Sequence, residues 1–125
     1  MNSFRIAVIG AGETGTPLLN QLLSMSFVKV VGVADLDLNQ PGIKLAREKG
    51  VTVTDDYMTL AALGSEVDII IDVTGAHEVR ENLRQLMIKT DNHHTLIMHE
   101  TIALLMMSLS AGRLITGKHG DQDYD

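Results

Sequence analysis

Cysteine and tryptophan are absent from this sequence of 125 residues, and aromatic residues make up only 3% of it. Without cysteine, the chain can form no disulfide bond, no thiolate metal site and no cysteine nucleophile. So few aromatic side chains also provide no platform on which nucleic-acid bases could stack. The absence of cysteine fits a reducing compartment, and we expect the protein to be cytoplasmic.

Positive charge is also scarce, because ten Lys and Arg residues face sixteen Asp and Glu residues, which gives a net charge of −6. Such a chain repels phosphate backbones and anionic lipids, so we predict neither a nucleic-acid nor a membrane partner. The apolar runs are far shorter than the ~20 residues that span a bilayer. The N-terminal residues lack the basic region and long apolar stretch of a signal peptide, so we expect a soluble, intracellular protein.

The sequence does contain an alternation of short β-branched runs and amphipathic stretches. The runs predict strands at residues 4–9, 28–34, 51–54, 67–73 and 95–98. The amphipathic stretches predict helices at residues 13–25, 43–49, 57–63, 76–90 and 101–110. This alternation is typical of an α/β domain with a doubly wound parallel sheet of five strands, the Rossmann fold. Right-handed crossovers from a central first strand give the strand order 3-2-1-4-5. Residues 1–116 would form the domain, and residues 117–125 a polar, disordered tail.

A glycine-rich segment, Gly10-Ala11-Gly12-Glu13-Thr14-Gly15, follows the first predicted strand and opens the first predicted helix. In that context the pattern GxGxxG indicates dinucleotide binding. Gly10 would allow the tight turn, Gly12 would let the backbone approach a pyrophosphate, and Gly15 would let the helix pack closely on the sheet. The N–H groups and the positive dipole end of the helix would hold the pyrophosphate. We therefore predict that residues 10–15 contact a dinucleotide cofactor.

Asp35 lies twenty residues after the third glycine, at the end of the second predicted strand. An acid in this place accepts hydrogen bonds from the adenine ribose, although Asp37 competes for the role. Residues 36–40 are Leu, Asp, Leu, Asn and Gln, and two acids with no base would repel the 2′-phosphate of NADP. The sequence therefore favours NAD, and Asp35→Ala is expected to weaken NAD binding with little loss of folding. In the alternative interpretation, the glycines only shape a turn and Asp35 caps the next segment.

The end of the fourth predicted strand reaches the same ligand-binding edge of such a sheet. Thr74 and Gly75 could line the ribose on the nicotinamide side, and His77 could reach the mouth of the site. The alternatives are a simple turn glycine at Gly75 and an exposed helix histidine at His77. Asp72 lies in or beside a buried strand and needs a polar partner, or it caps the following helix.

Histidines near the fifth predicted strand raise the question of a metal site. His99 and Glu100 end this strand, whereas His93 and His94 precede it, at its opposite end. No spacing among these residues resembles a known set of metal ligands. We therefore predict no metal site.

Residues 5–15, 30–37 and 67–75 resemble the N-terminal domain of the glucose-fructose oxidoreductase and inositol dehydrogenase family, and more loosely homoserine and aspartate dehydrogenases. The resemblance is specific to dinucleotide binding and not to one substrate. It implies that Gly10, Gly12 and Gly15 contact NAD and that Asp35 holds the ribose. It also implies a sensor or regulatory role, because similar lone Rossmann segments accompany signalling proteins.

Two departures from that family bear on activity. Its members carry Glu-Lys-Pro after the fifth strand, and the lysine assists catalysis, whereas residues 98–102 here are Met, His, Glu, Thr and Ile. Its members also have a second, mostly β domain that brings the substrate pocket. With no provider of a substrate pocket or of a proton acceptor, the catalytic residues stay unassigned. We expect an NAD(H)-binding sensor module; the alternatives are an oxidoreductase completed by another chain or protomer, a truncated family member, and a scaffold that has lost its ligand.

The last predicted helix, residues 101–110, is apolar around most of its circumference. We expect one face to pack on the sheet, namely Ile102, Leu105, Met106 and Leu109. Leu104 and Met107 then need another cover. Residues 114–115 could supply it by folding back; otherwise this helix forms a homodimer or docks a partner domain.

Overall fold

The computed structural model describes residues 2–116 and shows one sheet of five parallel strands, in the order β3-β2-β1-β4-β5. The strands are β1 (Phe4–Ile9), β2 (Val28–Ala34), β3 (Val53–Thr54), β4 (Ile69–Asp72) and β5 (Leu96–His99). The helices are α1 (Gly15–Leu23), α2 (Pro41–Glu48), α3 (Tyr57–Ala61), α4 (His77–Lys89) and α5 (Glu100–Ala111), and a short 3-10 helix (Gly64–Glu66) precedes β4. The predicted Rossmann fold and strand order are confirmed. The tail predicted at residues 117–125 lies outside the described residues.

The central strand β1 is almost entirely apolar because helices cover both faces of the sheet. Val8 belongs to the core cluster that contains Leu19 of α1 and Ile43 of α2. Its neighbour Ala7 points to the other face and belongs to the cluster that contains Leu83 of α4. Burial on both sides holds the strands firmly, so the loops at their carboxyl ends start from fixed positions.

The bounds of the elements differ from the predicted ones by a few residues. The helix predicted from residue 13 begins at Gly15, because the residues before it form the glycine turn. Pro17 falls in its first turn, where the missing N–H costs little. The strands predicted at residues 51–54 and 67–73 shorten to Val53–Thr54 and Ile69–Asp72.

Helix α5 presents a different face to the sheet from the one predicted. The expected inward side chains are 47–73% exposed, and that prediction is wrong for Ile102, Leu105, Met106 and Leu109. Instead, Ala103 is fully buried and Met107 packs against the same core cluster. The small side chain of Ala103 lets the helix lie close to the sheet, so the bulkier side chains turn outward.

Nothing in the segment after α5 covers this outward face among the residues that the structure describes. Leu114 is itself 79% exposed. The backbone N–H of Ile115 donates a hydrogen bond to Ser108 Oγ at 2.8 Å, which holds the segment near the end of the helix. Although α5 is apolar, residues 2–116 include no helix long and apolar enough to cross a membrane.

The last residues of four strands form one row at the carboxyl edge of the sheet. Ile9 lies opposite Ala34 of β2 on one side and opposite Asp72 of β4 on the other. Asp72 in turn lies opposite His99 of β5. The residues that follow these strands are therefore brought to the edge where ligands of open α/β sheets bind.

The opposite edge of the sheet carries an ion pair whose carboxylate is buried. The side chain of Asp68 is 6% exposed and accepts hydrogen bonds from Arg5 Nη2 at 2.8 Å and from the Arg5 backbone N–H at 2.9 Å. His94 Nε2 lies 2.7 Å from the same carboxylate. The Arg5 side chain, then its backbone N–H and then His94 hold the pKa of the Asp68 carboxyl well below its ordinary range. This cluster ties the start of β1 to the segments that lead into β4 and β5.

Candidate functional site

A cavity of about 430 Å³ opens at the carboxyl edge of the sheet, within the size range of ligand pockets. Seven of the residues predicted to bind a cofactor line it: Gly10, Gly12, Glu13, Thr14, Gly15, Asp35 and Thr74. The other three predicted residues, Ala11, Gly75 and His77, lie nearby without lining it. The cavity thus joins the glycine turn, the end of β2 and the end of β4.

Gly10 and Gly15 are required by the turn itself. Gly10 has a φ of +107°, which side chains rarely allow, and a Cβ on it would lie 3.0 Å from Val73 Cγ2. A Cβ on Gly15 would lie 1.9 Å from the carbonyl oxygen of Gly10. The first turn of α1 can therefore sit against the end of β1 only because Gly15 has no side chain.

Gly12 occupies a different kind of position, because open space surrounds it. A Cβ placed there would approach only Gln40 Oε1, at 3.6 Å. Both Gly12 and Gln40 line the cavity, so the missing side chain leaves backbone open to a ligand. Such exposure suits the close approach of a pyrophosphate.

The start of α1 has polar groups to offer a ligand. Thr14 is the N-cap residue, yet its side chain makes no capping hydrogen bond and no acidic residue lies in the first turn. The N–H of Thr16 already donates to the carbonyl oxygen of Gly12, so the helix end offers an anion its other N–H groups and its positive dipole. Thr14 is 7% exposed, and its Oγ1 has no hydrogen-bond partner within residues 2–116. A buried hydroxyl beside a cavity gains from a ligand oxygen, so the residues present fit a dinucleotide.

Asp35 links the end of β2 to the glycine turn. Its Oδ2 accepts a hydrogen bond from the backbone N–H of Ala11, and its Oδ1 accepts one from the backbone N–H of Asp37. The competitor Asp37 is exposed, does not line the cavity, and accepts a hydrogen bond from the backbone N–H of Asn39. Of the two acids, only Asp35 therefore faces the cavity.

The end of β4 is fixed by Asp72, which is 3% exposed. Asp72 Oδ1 accepts hydrogen bonds from the backbone N–H of Thr74 at 3.0 Å and from its hydroxyl at 2.6 Å. Asp72 Oδ2 lies 3.0 Å from His99 Nδ1. Asp72 therefore holds the cavity residue Thr74 and a histidine of β5. His77, by contrast, is exposed as the first residue of α4.

The remaining polar residues near β5 separate into different environments. Glu100, which follows His99, is buried at 1% exposure at the start of α5. His93 and His94 lie on the segment before β5, and His94 pairs with Asp68 at the far edge. Within the part of the chain that the structure describes, no group of three His, Asp or Glu residues could hold a metal ion.

Sequence reasoning missed several residues that line the cavity, among them Leu36, Gln40, Asp55 and Tyr57. Leu36 and Gln40 follow β2, and Asp55 and Tyr57 follow β3. Their position directly after parallel strands was the available signal, because all these strands end at the same edge.

Comparison with protein families agrees with this geometry. Residues 10–98 match the model described as the NAD-binding domain of homoserine dehydrogenase. The match begins at the first glycine of the turn and ends within β5. The dehydrogenase resemblance deduced from the sequence is thereby confirmed, and NAD is the cofactor of the matched family.

The chain is also similar to acetaldehyde dehydrogenase 2 of Burkholderia vietnamiensis, with 36% identity over 89 residues. The alignment covers 69% of this chain but 29% of that protein, so the chain spans less than a third of the relative's length. Further enzymes named acetaldehyde dehydrogenase match over 28–30% of their length. One of them, from Leptothrix cholodnii, is 33% identical, with 69% of this chain and 29% of that protein covered.

Two solved structures share the fold. GenD2 from gentamicin A biosynthesis, in complex with NAD, has a TM-score of 0.59 and 22% identity, covering 90% of this chain and 32% of that one. The myo-inositol 2-dehydrogenase of Lactobacillus plantarum has a TM-score of 0.56 and 17% identity, covering 88% of this chain and 40% of that one. At these identities the likeness concerns the fold alone.

Proposed function

The chain belongs to the family of homoserine dehydrogenase NAD-binding domains, and on that premise we propose that it is an NAD(H)-binding module with a sensor or regulatory role. The cavity at the carboxyl edge carries the proposal, because the glycine turn, Asp35 and Thr74 all line it. Residues 2–116 form the sheet and helices that position this cavity.

The pyrophosphate of NAD would lie against the backbone at Gly12, at the start of α1. The N–H groups there donate to phosphate oxygens, and the buried Thr14 hydroxyl supplies a further donor. The adenine ribose would lie at Asp35, whose carboxylate accepts from the ribose hydroxyls. Residues 35–40 contain two acids and no Lys or Arg, so a 2′-phosphate would be repelled and NAD is preferred to NADP.

A sensor role would use the chemistry of the nicotinamide ring, which carries one positive charge more when oxidised than when reduced. A difference of one charge can shift an equilibrium between two states only if one state contacts the ring differently from the other. The two states could be the free protein and the protein associated with a partner, if the ring is contacted differently in each. The bound redox form would then set how strongly the protein associates with its partner.

The exposed face of α5 is the surface that we assign to that partner, and a second copy of this chain is the proposed occupant. Its four large apolar side chains are Ile102, Leu105, Met106 and Leu109. Residues 101–112 include no charged side chain, so two such helices meet without repulsion between like charges even though each chain carries a net charge of −6. An apolar patch of this kind favours association.

The second candidate is an NAD-dependent oxidoreductase completed by another chain or protomer. The similarity to acetaldehyde dehydrogenases and the polar pair Asp72–His99 at the carboxyl edge of the sheet favour it. Within this chain, however, the sequence has no cysteine that could form a thiolate adduct with an aldehyde, and no lysine occurs at residues 98–102. Formation of NADH by the protein alone, in the presence of alcohol or aldehyde substrates, would favour an enzyme completed by a second protomer.

The decisive experiment is titration of the protein with NAD, NADH, NADP and NADPH, followed by calorimetry and thermal unfolding. A ligand that binds only the native state raises the melting temperature, and we expect this for NAD or NADH and not for the phosphorylated forms. Sedimentation of the protein saturated with NAD or with NADH then tests the sensor role. No binding of any dinucleotide overturns the proposal, and binding with identical association in both redox forms overturns the sensor role alone.

A further inference from the structure

Asp72 and His99 form a hydrogen-bonded pair at the carboxyl edge of the sheet, and the NAD contacts proposed above do not include it. They are the last residues of β4 and β5 and lie opposite each other in the sheet. Asp72 is 3% exposed, whereas a quarter of the His99 side chain is exposed. A buried carboxylate therefore orients a ring that solvent and ligands can reach.

The surroundings of Asp72 determine which nitrogen of the ring carries the hydrogen. Asp72 Oδ1 already accepts two hydrogen bonds from Thr74, and Oδ2 faces His99 Nδ1 at 3.0 Å. A carboxylate surrounded by donors only accepts, so the hydrogen of the third contact lies on Nδ1. In the neutral ring, Nε2 is then an acceptor, and it makes no hydrogen bond with residues 2–116.

The row of strand ends places this acceptor relative to a bound dinucleotide. Asp35 follows β2 and would hold the adenine ribose, and the glycine turn follows β1 and would hold the pyrophosphate. Neighbouring strands lie about 4.8 Å apart, and the pyrophosphate is in the middle of the molecule. The second nucleoside would therefore extend away from β2, past the cavity residue Thr74 and toward the end of β5, where His99 lies outside the cavity lining.

We propose that the Asp72–His99 pair is the contact for the nicotinamide nucleoside, with His99 Nε2 accepting a hydrogen bond from it. This inference rests on the proposed binding of NAD. The nicotinamide nucleoside has two kinds of donor, its ribose hydroxyls and the N–H groups of its carboxamide. Asp72 acts as a positioning residue, because it fixes the orientation of the ring and the nitrogen that accepts.

Two substitutions of His99 separate this role from a purely structural one. In His99→Asn, the amide N–H takes the place of Nδ1 and keeps the contact with Asp72 but supplies no acceptor where Nε2 was. In His99→Gln, the amide oxygen reaches the position of Nε2 and restores an acceptor. A structural role predicts that the Asn variant is the better tolerated of the two, whereas the proposal predicts the reverse for NAD binding.

The experiment is calorimetric titration of the full chain and of both variants with NAD, ADP-ribose and ADP. We expect His99→Asn to bind NAD about three- to tenfold more weakly, the size of one lost hydrogen bond, and His99→Gln to bind it nearly as the unaltered protein does. ADP lacks the second nucleoside, so its affinity should be unchanged, which also shows that each variant is folded. Weaker binding of ADP-ribose by the Asn variant identifies the ribose as the donor, and unchanged binding identifies the carboxamide.

Three results would overturn the proposal. They are an equal loss of NAD affinity in both variants, a loss that ADP shares, and no loss in His99→Asn. Each of them leaves NAD binding by the unaltered protein intact. Failure of the unaltered protein to bind NAD would instead overturn the proposed function, and this inference with it.

Discussion

Asp35 and Ala11 are joined by a hydrogen bond of 2.8 Å, in which the backbone N–H of Ala11 donates to the Asp35 carboxylate. The other carboxylate oxygen accepts from the backbone N–H of Asp37 at 2.9 Å. Asp35 therefore fixes the glycine turn and its own loop. Each oxygen keeps a further lone pair, so the same side chain can still accept hydrogen bonds from a ribose.

We predict that Asp35→Ala weakens both NAD binding and folding. From the sequence we expected little loss of folding, but the variant leaves the N–H of Ala11, a residue 1% exposed, without its acceptor. A buried donor left unpaired costs about 1–3 kcal/mol in the free energy of unfolding. Loss of the ribose contacts should lower NAD affinity about tenfold.

Urea unfolding and calorimetry measure the two effects, and Asp37→Ala is the matched control, expected to change NAD affinity little. Unchanged NAD affinity in Asp35→Ala would show that the ribose lies elsewhere.

Gly15→Ala should lower the stability of the fold, whereas Gly12→Ala should lower NAD affinity. A Cβ on Gly15 would lie 1.9 Å from backbone, so we expect this variant to be strongly destabilised. A Cβ on Gly12 has room, so that variant should fold with a nearly unchanged melting temperature but lose NAD affinity because the methyl group occupies the pyrophosphate position. Thermal unfolding with and without NAD tests both. A Gly12→Ala protein that NAD stabilises as much as the unaltered protein would contradict the assignment.

Asp68→Asn should lower the free energy of unfolding at neutral pH. The unfolding free energy of this variant should also depend less on pH in acid than that of the unaltered protein. The folded-state pKa of Asp68 is depressed, first by the Arg5 side chain, so the stabilisation is fully present above the unfolded pKa of about 3.9. It is lost as the pH falls through the folded-state pKa. The difference in unfolding free energy between the two proteins should therefore shrink below about pH 4, as measured by urea unfolding.

Asp91→Asn, at an exposed pair with His93, is the control and should have little effect at any pH. A gap between Asp68→Asn and the unaltered protein that widens in acid would refute this account.

Leu109→Glu should abolish self-association if the exposed face of α5 forms a dimer. Leu109 is 73% exposed, so the substitution leaves the core of the chain intact, and two buried carboxylates at an apolar interface would be costly. Ile88→Glu on α4 is the matched control, because Ile88 is a large apolar helix residue that is 67% exposed. Sedimentation velocity at high micromolar concentration should give a dimer for the unaltered protein and for Ile88→Glu, and a monomer for Leu109→Glu. A monomeric unaltered protein would eliminate the proposed interface.

The sequence by itself determined the order of the strands and the place of the glycine turn. Both depend on local patterns: β-branched runs such as Val28–Ala34 form strands, and glycines at fixed spacing allow one turn. The bounds of β1 and β2 agree with the prediction to the residue, because apolar runs that are buried on both faces leave little freedom of position.

Only the tertiary structure decided which side chains meet. The sequence does not specify the rotation of α5, because the helix is apolar nearly all round and the choice falls to the closest fit, which Ala103 provides. It does not specify the partner of Asp72 either, because His99 is distant in sequence and becomes its neighbour only through the pairing of β4 with β5. Periodicity gives the environment of a residue along its own element, whereas contacts between elements depend on how the layers pack.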